Sequence, residues 1–353
     1  MRFEGIRMAC QQLTETQFET PEDLVAWMGA LQAQDYTMSK WAIGLRLKSA
    51  TVEEINKALA EGEIIRTHIM RPTWHYVAGK DLRWMWQLTS PRVRKTVDVW
   101  IKASGVDIPK EVYVRCNDLI GRMLQGKRSL TREEIGNELE RIGIITSHNR
   151  MKCYILRAEM EGIICSGADR NGKPTYALLD EQVPWTPVLP REEALARLAL
   201  RYFQSHSPAT VDDFIWWSGL TATEAKQAIG ALGDQLIKEH FGEREFWVHA
   251  SCREAKEKEV IHFLPPFDEY LISYKDRSPV IPIEHHPKAF NRWGIFYPVI
   301  LYNGQIIGNW NKIKKKKELI VNTSFFDEGI TCRTGLLHQA EDHYRNFCRY
   351  VRV

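Results

Sequence analysis

The feature that most constrains this chain is a recurrence. Three times a threonine followed three residues later by glutamate opens an amphipathic helix: Thr51-Val-Glu-Glu54, Thr131-Arg-Glu-Glu134 and Thr221-Ala-Thr-Glu224. This is the capping-box pattern, in which the hydroxyl serves the backbone of the first turn and the glutamate reaches back. Each box is followed by two short segments rich in β-branched and aromatic residues, which read as a hairpin. Apolar spacing places further helices before each box. In the first copy Leu24, Met28 and Leu31 recur at i, i+4 and i+7, so residues 21 to about 31 read as one helix behind Pro21. A second helix starts near Ser39 with Trp41 and Leu45, and Ile55 and Leu59 mark the third, closed by Gly62. The hairpin follows at 64–77, broken at Arg71-Pro72. Helices and then a two-stranded hairpin are the order of a winged helix-turn-helix.

The second copy has helices at Cys116, Leu119, Ile120 and Met123, at Ile135 and Leu139, and at Met151, Tyr154 and Ala158. Its strands lie at 163–166 and 175–179, around the turn-rich stretch 168–173. The third has Leu195, Leu198 and Tyr202, then a helix capped by Thr210 with Phe214 and Trp217, then Ala225, Ala228 and Ile229, and strands at 236–240 and 245–249 across Gly242. The repeats are too long and too divergent for a short-period solenoid. Pro184, Pro187 and Pro190 separate copies two and three, and residues 92–109 separate copies one and two through an expected extra helix.

After Ser251 the character changes. Prolines and aromatics are dense, Asn303-Gly304 marks a two-residue hairpin turn between alternating segments, and another strand follows the lysine run. This reads as a small β-barrel-like domain, closed by a helix through Ala340, Tyr344, Phe347 and Val351. The expected architecture is therefore α+β: winged helix 1 over 1–90, linker and winged helix 2 over 91–183, winged helix 3 over 184–250 and the barrel-like domain over 251–353.

Composition narrows the function classes. With 353 residues and 44% hydrophobic content there is material for several cores. No run of about 18 apolar residues spans a membrane, and the first residues lack a charged-then-apolar signal pattern. Cysteines at 10, 116, 153, 165, 252, 332 and 348 are odd in number and without CxxC spacing, against a disulfide framework or a zinc ribbon, so a reducing cytoplasm is expected. His285-His286 has no carboxylate or cysteine spaced to complete a metal site, and the pair reads as surface. A net charge of +3 does not itself demand nucleic acid, but Lys312 and Lys314–Lys317 cluster, as do Arg92, Arg94 and Lys95. Such runs are solvated faces or phosphate contacts. Serial winged helices favour a long surface able to hold duplex DNA, with phosphates supplying much of the affinity.

Gln32 and Gln34 fall at the expected end of the first helix, before a turn through Asp35 and Tyr36. There the backbone can turn both amides toward one cleft, where carbonyl and NH2 groups can orient a water. Spacing alone equally allows two polar residues that satisfy backbone groups.

Several stretches together resemble one family: Leu31-Gln-Ala-Gln-Asp35, Met70-Arg-Pro-Thr-Trp-His75, Ser207-Pro-Ala-Thr-Val-Asp-Asp213 with Trp216-Trp-Ser-Gly-Leu220, and Leu264-Pro-Pro-Phe-Asp-Glu-Tyr-Leu271. In this order, over essentially the whole chain, they look like the AlkZ-like DNA glycosylases. The resemblance implies three tandem winged helices plus a C-terminal β-barrel, and excision of alkylated bases, in some members with unhooking of interstrand cross-links. It implies that Gln32 and Gln34 match the family's catalytic Gln-x-Gln and position the hydrolytic water, Gln34 being the more important. Asp35 stands one residue too late to match the sister branch's Gln-x-Asp.

Arg71, His75, Lys275, Arg277, Lys314, Lys315 and Lys316 are the candidate DNA contacts, and Asp268 a candidate support for the active site. The expected protein is a monomeric, monofunctional glycosylase acting on duplex DNA with alkylated bases or cross-links, without cofactor, metal or membrane. The alternatives are a non-catalytic winged-helix DNA binder or transcription regulator, and a protein-interaction scaffold.

Overall fold

All three capping boxes form. Thr51 N–H donates to Glu54 at 2.6 Å, Thr131 N–H to Glu134 at 2.7 Å and Thr221 N–H to Glu224 at 3.0 Å, and each threonine hydroxyl accepts the glutamate's own N–H. Local chemistry thus fixes where the helices Val52–Ala60, Arg132–Arg141 and Ala222–Gly230 begin. A fourth box, not read in the sequence, pairs Thr210 with Asp213 at the start of Val211–Ser218. The structure, a computed structural model, describes residues 2–147, 149–254, 258–314, 319–330 and 332–349. It divides into two compact units, 56–194 and, together, 1–55 with 195–353.

In the unit spanning 56–194, Ile64–His68 pairs antiparallel with Trp74–Ala78, with Thr67 opposite His75. Next comes one long helix, Gly79–Ala103, with Pro91 inside it, so the extra helix expected between the copies continues directly from the hairpin. The helices Lys110–Leu124, Arg132–Arg141 and Arg150–Met160 then pack through Cys116, Ile120, Leu139, Tyr154 and Ala158, and the strands Ile164–Ser166 and Thr175–Leu178 complete the order helix, helix, helix, hairpin.

In the other unit, the helix Pro21–Met28 ends earlier than its apolar spacing predicts. Gly29, at φ +73°, turns the chain out of the helix. A side chain there would also crowd Arg201 and Trp217 at 3.1 and 3.3 Å. Leu31 is therefore on the short strand Leu31–Gln32 rather than on the helix, and the helix Met38–Gly44 follows. Asp35 starts that helix by accepting the N–H groups of Thr37 and Met38 at 3.0 and 2.9 Å. Most of Arg191–His206 belongs to this unit, with Val211–Ser218, Ala222–Gly230 and the hairpin Leu236–Phe241 with Arg244–His249.

The C-terminal strands form an open antiparallel sheet in the order Leu319–Phe325, Gln305–Lys314, Val299–Tyr302, Ile261–Leu264. Asn303 and Gly304, at φ 47° and 89°, make the expected tight turn. The expected barrel-like closure is not found among the described residues. Four strands are too few to close around a filled interior, and aromatic packing covers the sheet instead. Trp41 and Trp310 donate indole N–H to Phe263 O and Leu264 O, both at 2.7 Å. Tyr344, on the closing helix Thr334–Phe347, meets both indoles edge-on at 5.1 and 5.0 Å. Val351 lies outside the described residues.

Candidate active site

The strand Leu31–Gln32 is two residues long, so its ladder is short. It is held by a segment 237 residues away in sequence: the Gln32 backbone N–H donates to Glu269 Oε1 at 2.5 Å. Gln32 is buried and Gln34, beyond the also buried Ala33, is exposed. The two amides therefore stand at different depths on a turn rather than at a helix end.

Glu269 belongs to the Leu264–Leu271 motif, where Asp268 was the residue singled out. Both acids are buried, and they do different work. Asp268 caps the short helix Glu269–Ile272 by accepting Tyr270 N–H at 2.9 Å. It also takes a bidentate pair from Arg46, Nη2 to Oδ1 at 2.7 Å and Nη1 to Oδ2 at 2.9 Å. Arg46 completes its donations to Gln11 O, Gln11 Oε1 and Ala42 O, so this buried charge is fully hydrogen-bonded. Glu269 is served by other donors. Besides Gln32 N–H, the Ser273 hydroxyl donates to Oε2, and His206 Nε2 stands 3.5 Å from the same oxygen. Burial opposes its ionisation, yet His206, Ser273 and Gln32 together bring its pKa down to about 2, so it is an anion at neutral pH.

His206 is itself buried, its ring parallel to Tyr202 at 4.8 Å, and burial lowers its pKa against the pull of Glu269. His206 Nδ1 stands 2.7 Å from the Ser205 hydroxyl, which also donates to Arg201 O at 2.6 Å. The segments 202–216 and 269–275 meet here. Tyr202 OH donates to Ser273 O at 3.2 Å, Trp216 Nε1 to Ile272 O at 2.8 Å, Tyr274 OH to His206 O at 2.9 Å and Lys275 N–H to Asp213 Oδ1 at 2.8 Å. Arg46, His206 and Ser273 carry no sequence signal beyond their residue types. The one signal for Glu269 is its place as the second acid of the Leu264–Leu271 motif.

The remaining candidates are distributed as follows. Lys275 Nζ pairs with Asp212 at 2.7 Å, both side chains more than half exposed, beside an open groove that Arg244 and Asp276 also line. Arg277 is inserted among aromatic rings, 4.9 to 5.4 Å from the centroids of Phe290, Phe296 and Trp216, with Nε donating to Leu271 O at 2.9 Å. Lys314 is exposed at the end of its strand. Lys315 and Lys316 lie outside the described residues. In the 56–194 unit, His75 is buried. Its Nδ1 faces Thr73 O at 3.0 Å and so carries the proton, leaving the Nε2 lone pair toward Arg71 Nη2 at 3.4 Å.

His285 is buried, not on the surface as the sequence suggested: it pairs with Asp327 at 3.0 Å and its ring meets Phe326 at 5.0 Å. Among the described residues no group of three or more His, Cys, Asp or Glu could hold a metal ion, and no helix is long and apolar enough to cross a membrane.

The family model of the AlkZ-like DNA glycosylases matches residues 25–345. A Streptomyces sahachiroi protein, described as an interstrand DNA cross-link repair glycosylase, is 24% identical over 330 residues, covering 89% of this chain and 88% of its own length. The solved structure of DNA glycosylase AlkZ from Streptomyces sahachiroi has the same fold, with a TM-score of 0.79 at 21% identity over 99% of this chain and 97% of that one.

Proposed function

This chain belongs to the AlkZ-like DNA glycosylase family, and on that premise we propose that it is a monofunctional DNA glycosylase that hydrolyses the N-glycosidic bond of purines carrying a positive charge after alkylation at N7 or N3. The observation that carries this reading is the pair of amides in the family's Gln-x-Gln pattern, one buried and one exposed, on a turn fixed by a buried carboxylate. Its substrate is duplex DNA. Interstrand cross-links made through the same purine nitrogens fall within the same chemistry, and cross-link repair is what the Streptomyces sahachiroi relative is described as doing.

The chemistry suits weak catalytic groups. A cationic base departs as a neutral molecule, so no strong general acid is needed. What remains is to place a water near the anomeric carbon as oxocarbenium character develops. Positioning of that kind is worth roughly 7–11 kcal/mol for well-oriented reactants, and an amide carbonyl can aim its dipole at the developing cation. Gln34, being exposed, is the amide assigned to the water; Gln32 supports it. A neutral, undamaged base is a poor leaving group in such a site, which confers selectivity.

In this reading the segments 1–90, 91–183 and 184–250 are winged helices, 251–353 is the C-terminal sheet domain, and the protein acts as a monomer. Arg71, His75, Lys275, Lys314, Lys315 and Lys316 are proposed to contact DNA and Asp268 to support the active site. The weakest of the proposed contacts are His75, which is buried, and Arg277, whose guanidinium is enclosed by rings. The test is strand cleavage by hot alkali after incubation, with EDTA present, of duplex DNA carrying one 7-methylguanine or one N7-linked cross-link. Alkali-labile product from wild type, with a loss of about 100-fold or more in Gln34→Ala, is expected. DNA binding without product on either substrate would overturn the glycosylase reading in favour of a non-catalytic binder.

A further inference from the structure

We propose that Glu269 is a positioning residue for this reaction, its buried carboxylate gripping the Gln32 backbone N–H and thereby fixing the turn that presents Gln32 and Gln34. The proposal rests on the role given to the two glutamines above.

The argument begins with what the N–H needs. A buried backbone donor is ordinarily satisfied by a backbone carbonyl or a neutral side chain. Here it is satisfied by a carboxylate, at 2.5 Å, and keeping that carboxylate charged out of water takes two further groups, the Ser273 hydroxyl and His206. A buried charge is a poor device for stability alone. A charge-assisted hydrogen bond is, however, shorter and stiffer than a neutral one, and stiffness is what a two-residue strand lacks. Glu269 is also set apart from its neighbour. Arg46 commits its guanidinium to Asp268, Gln11 and Ala42 and leaves Glu269 to the strand. The anchor is rigid because Ser273 and His206 are held by tyrosines, Tyr202 OH donating to Ser273 O and Tyr274 OH to His206 O.

The ionisable groups packed around this carboxylate are few. Arg46 is paired with Asp268, Asp213 accepts from Thr210 and Lys275, and Arg7 lies over the Tyr274 ring at 3.5 Å. Burial pushes the Tyr202 and Tyr274 hydroxyls far above their ordinary range, so they do not titrate. His206 is the remaining group, and the one whose removal shifts Glu269. Without the imidazole, burial acts on the carboxyl with less opposition and the pKa moves up.

The experiment is single-turnover cleavage of the 7-methylguanine duplex by the full chain, alongside DNA affinity, for wild type, Gln32→Ala, Glu269→Ala, Glu269→Gln and His206→Leu, from pH 5 to pH 8 with spontaneous depurination subtracted. Glu269→Ala is expected to lower the rate about 100-fold, the scale of a misplacement of about 1 Å, with affinity unchanged. Glu269→Gln keeps an oxygen acceptor but not the charge and is expected to recover only a minor part of the loss. His206→Leu is expected to approach wild type at pH 8 and to lose rate steeply toward pH 5, where wild type is flat. Where Glu269→Ala melts below the assay temperature, Glu269→Gln and the His206→Leu pH profile decide. A wild-type rate in Glu269→Ala, or a flat profile in His206→Leu, overturns the proposal. If Gln32→Ala is inactive while Glu269→Ala is not, only the anchor falls; if wild type produces nothing, the glycosylase reading falls and the anchor with it.

Discussion

Glu269 and Glu159 are both buried glutamates beside a histidine, one in each compact unit, yet their pKa values move in opposite directions. Glu159 has His68 Nδ1 at 2.7 Å from Oε2, while its Oε1 is buried without a hydrogen-bond partner. Desolvation wins and its pKa is raised, despite His68 and the Arg66 charge nearby. Glu269 has a longer contact to its histidine, 3.5 Å, but both of its oxygens accept hydrogen bonds, from Gln32 N–H and from the Ser273 hydroxyl, and its pKa falls to about 2. The two acids differ in their partners: His206 first, then Ser273 and Gln32, act on Glu269 at both oxygens, whereas one oxygen of Glu159 goes unanswered. Glu269 is held as an anion at a strand assigned to chemistry. Glu159 lies under the Ile64–Ala78 hairpin, where His68 packs on Trp74 at 3.9 Å, and serves packing.

The contrast breaks most severely if the acids beside Gln32 lose their compensation. Arg46→Met strands Asp268, side-chain exposure 1%, one residue from the Glu269 carboxylate. Removing one partner of a buried pair costs about 3–5 kcal/mol. The urea midpoint is expected to fall accordingly at pH 7. A loss no larger than that of a surface substitution would show that the pocket is not charge-balanced as described.

The glutamates themselves come next, and their pH dependences are opposite in sign. Glu269 has a folded pKa of about 2 against an ordinary 4.5. The unfolded chain binds the proton more readily, so its contribution is complete above 4.5 and is lost as pH falls through about 2. Glu159, raised above 4.5, binds the proton more readily when folded. Its contribution is complete below 4.5 and is lost as pH rises through its elevated value. Glu269→Gln is therefore expected to cost about 1.5–3 kcal/mol at pH 7, the scale of hydrogen bonds to a charged group, and to flatten the acid limb of stability. Glu159→Gln is expected to change stability at pH 7 by less than about 1 kcal/mol, or to raise it, since a neutral amide needs no charge solvation. Melting curves of both variants from pH 3 to pH 8 measure this, and slopes of the same sign for the two would refute the contrast.

What the sequence makes legible here is what is local. Thr51, Thr131 and Thr221 announce their helices because donor and acceptor lie three residues apart, and Asn303-Gly304 announces its turn because both residues accept positive φ. The helix end at Met28 is less legible: Leu31 keeps the apolar spacing, and it is Gly29, at positive φ and packed against Arg201 and Trp217, that ends the helix sooner. The open sheet was hidden for a similar reason, since strand alternation does not say whether an edge meets another strand or a face meets Trp41 and Tyr344. At the candidate site, Gln32 and Gln34 stand out through their motif. Glu269 does not, because Asp268 and Glu269 are adjacent acids and nothing local says which takes Arg46 and which takes Gln32, respectively 222 and 237 residues away.

The smallest expected effects concern charges that are not buried at all, and they sharpen the contrast by acting through number rather than position. An exposed lysine that meets a phosphate releases a counterion, so its removal weakens DNA binding without regard to sequence and lowers the salt dependence by about one unit of slope. Lys314→Ala is expected to do this while leaving single-turnover cleavage at saturating protein unchanged. At Lys275 the carboxylate of Asp212 shares the charge at 2.7 Å and raises its pKa. Lys275→Ala should therefore change the slope by less than one unit, and Asp212→Asn should tighten binding at low salt by freeing the ammonium for phosphate. Binding isotherms across a salt series measure all three. A cleavage defect at saturation in Lys314→Ala would mean that this exposed lysine also positions the substrate, and the line drawn between buried charges that position and exposed charges that count would have to move.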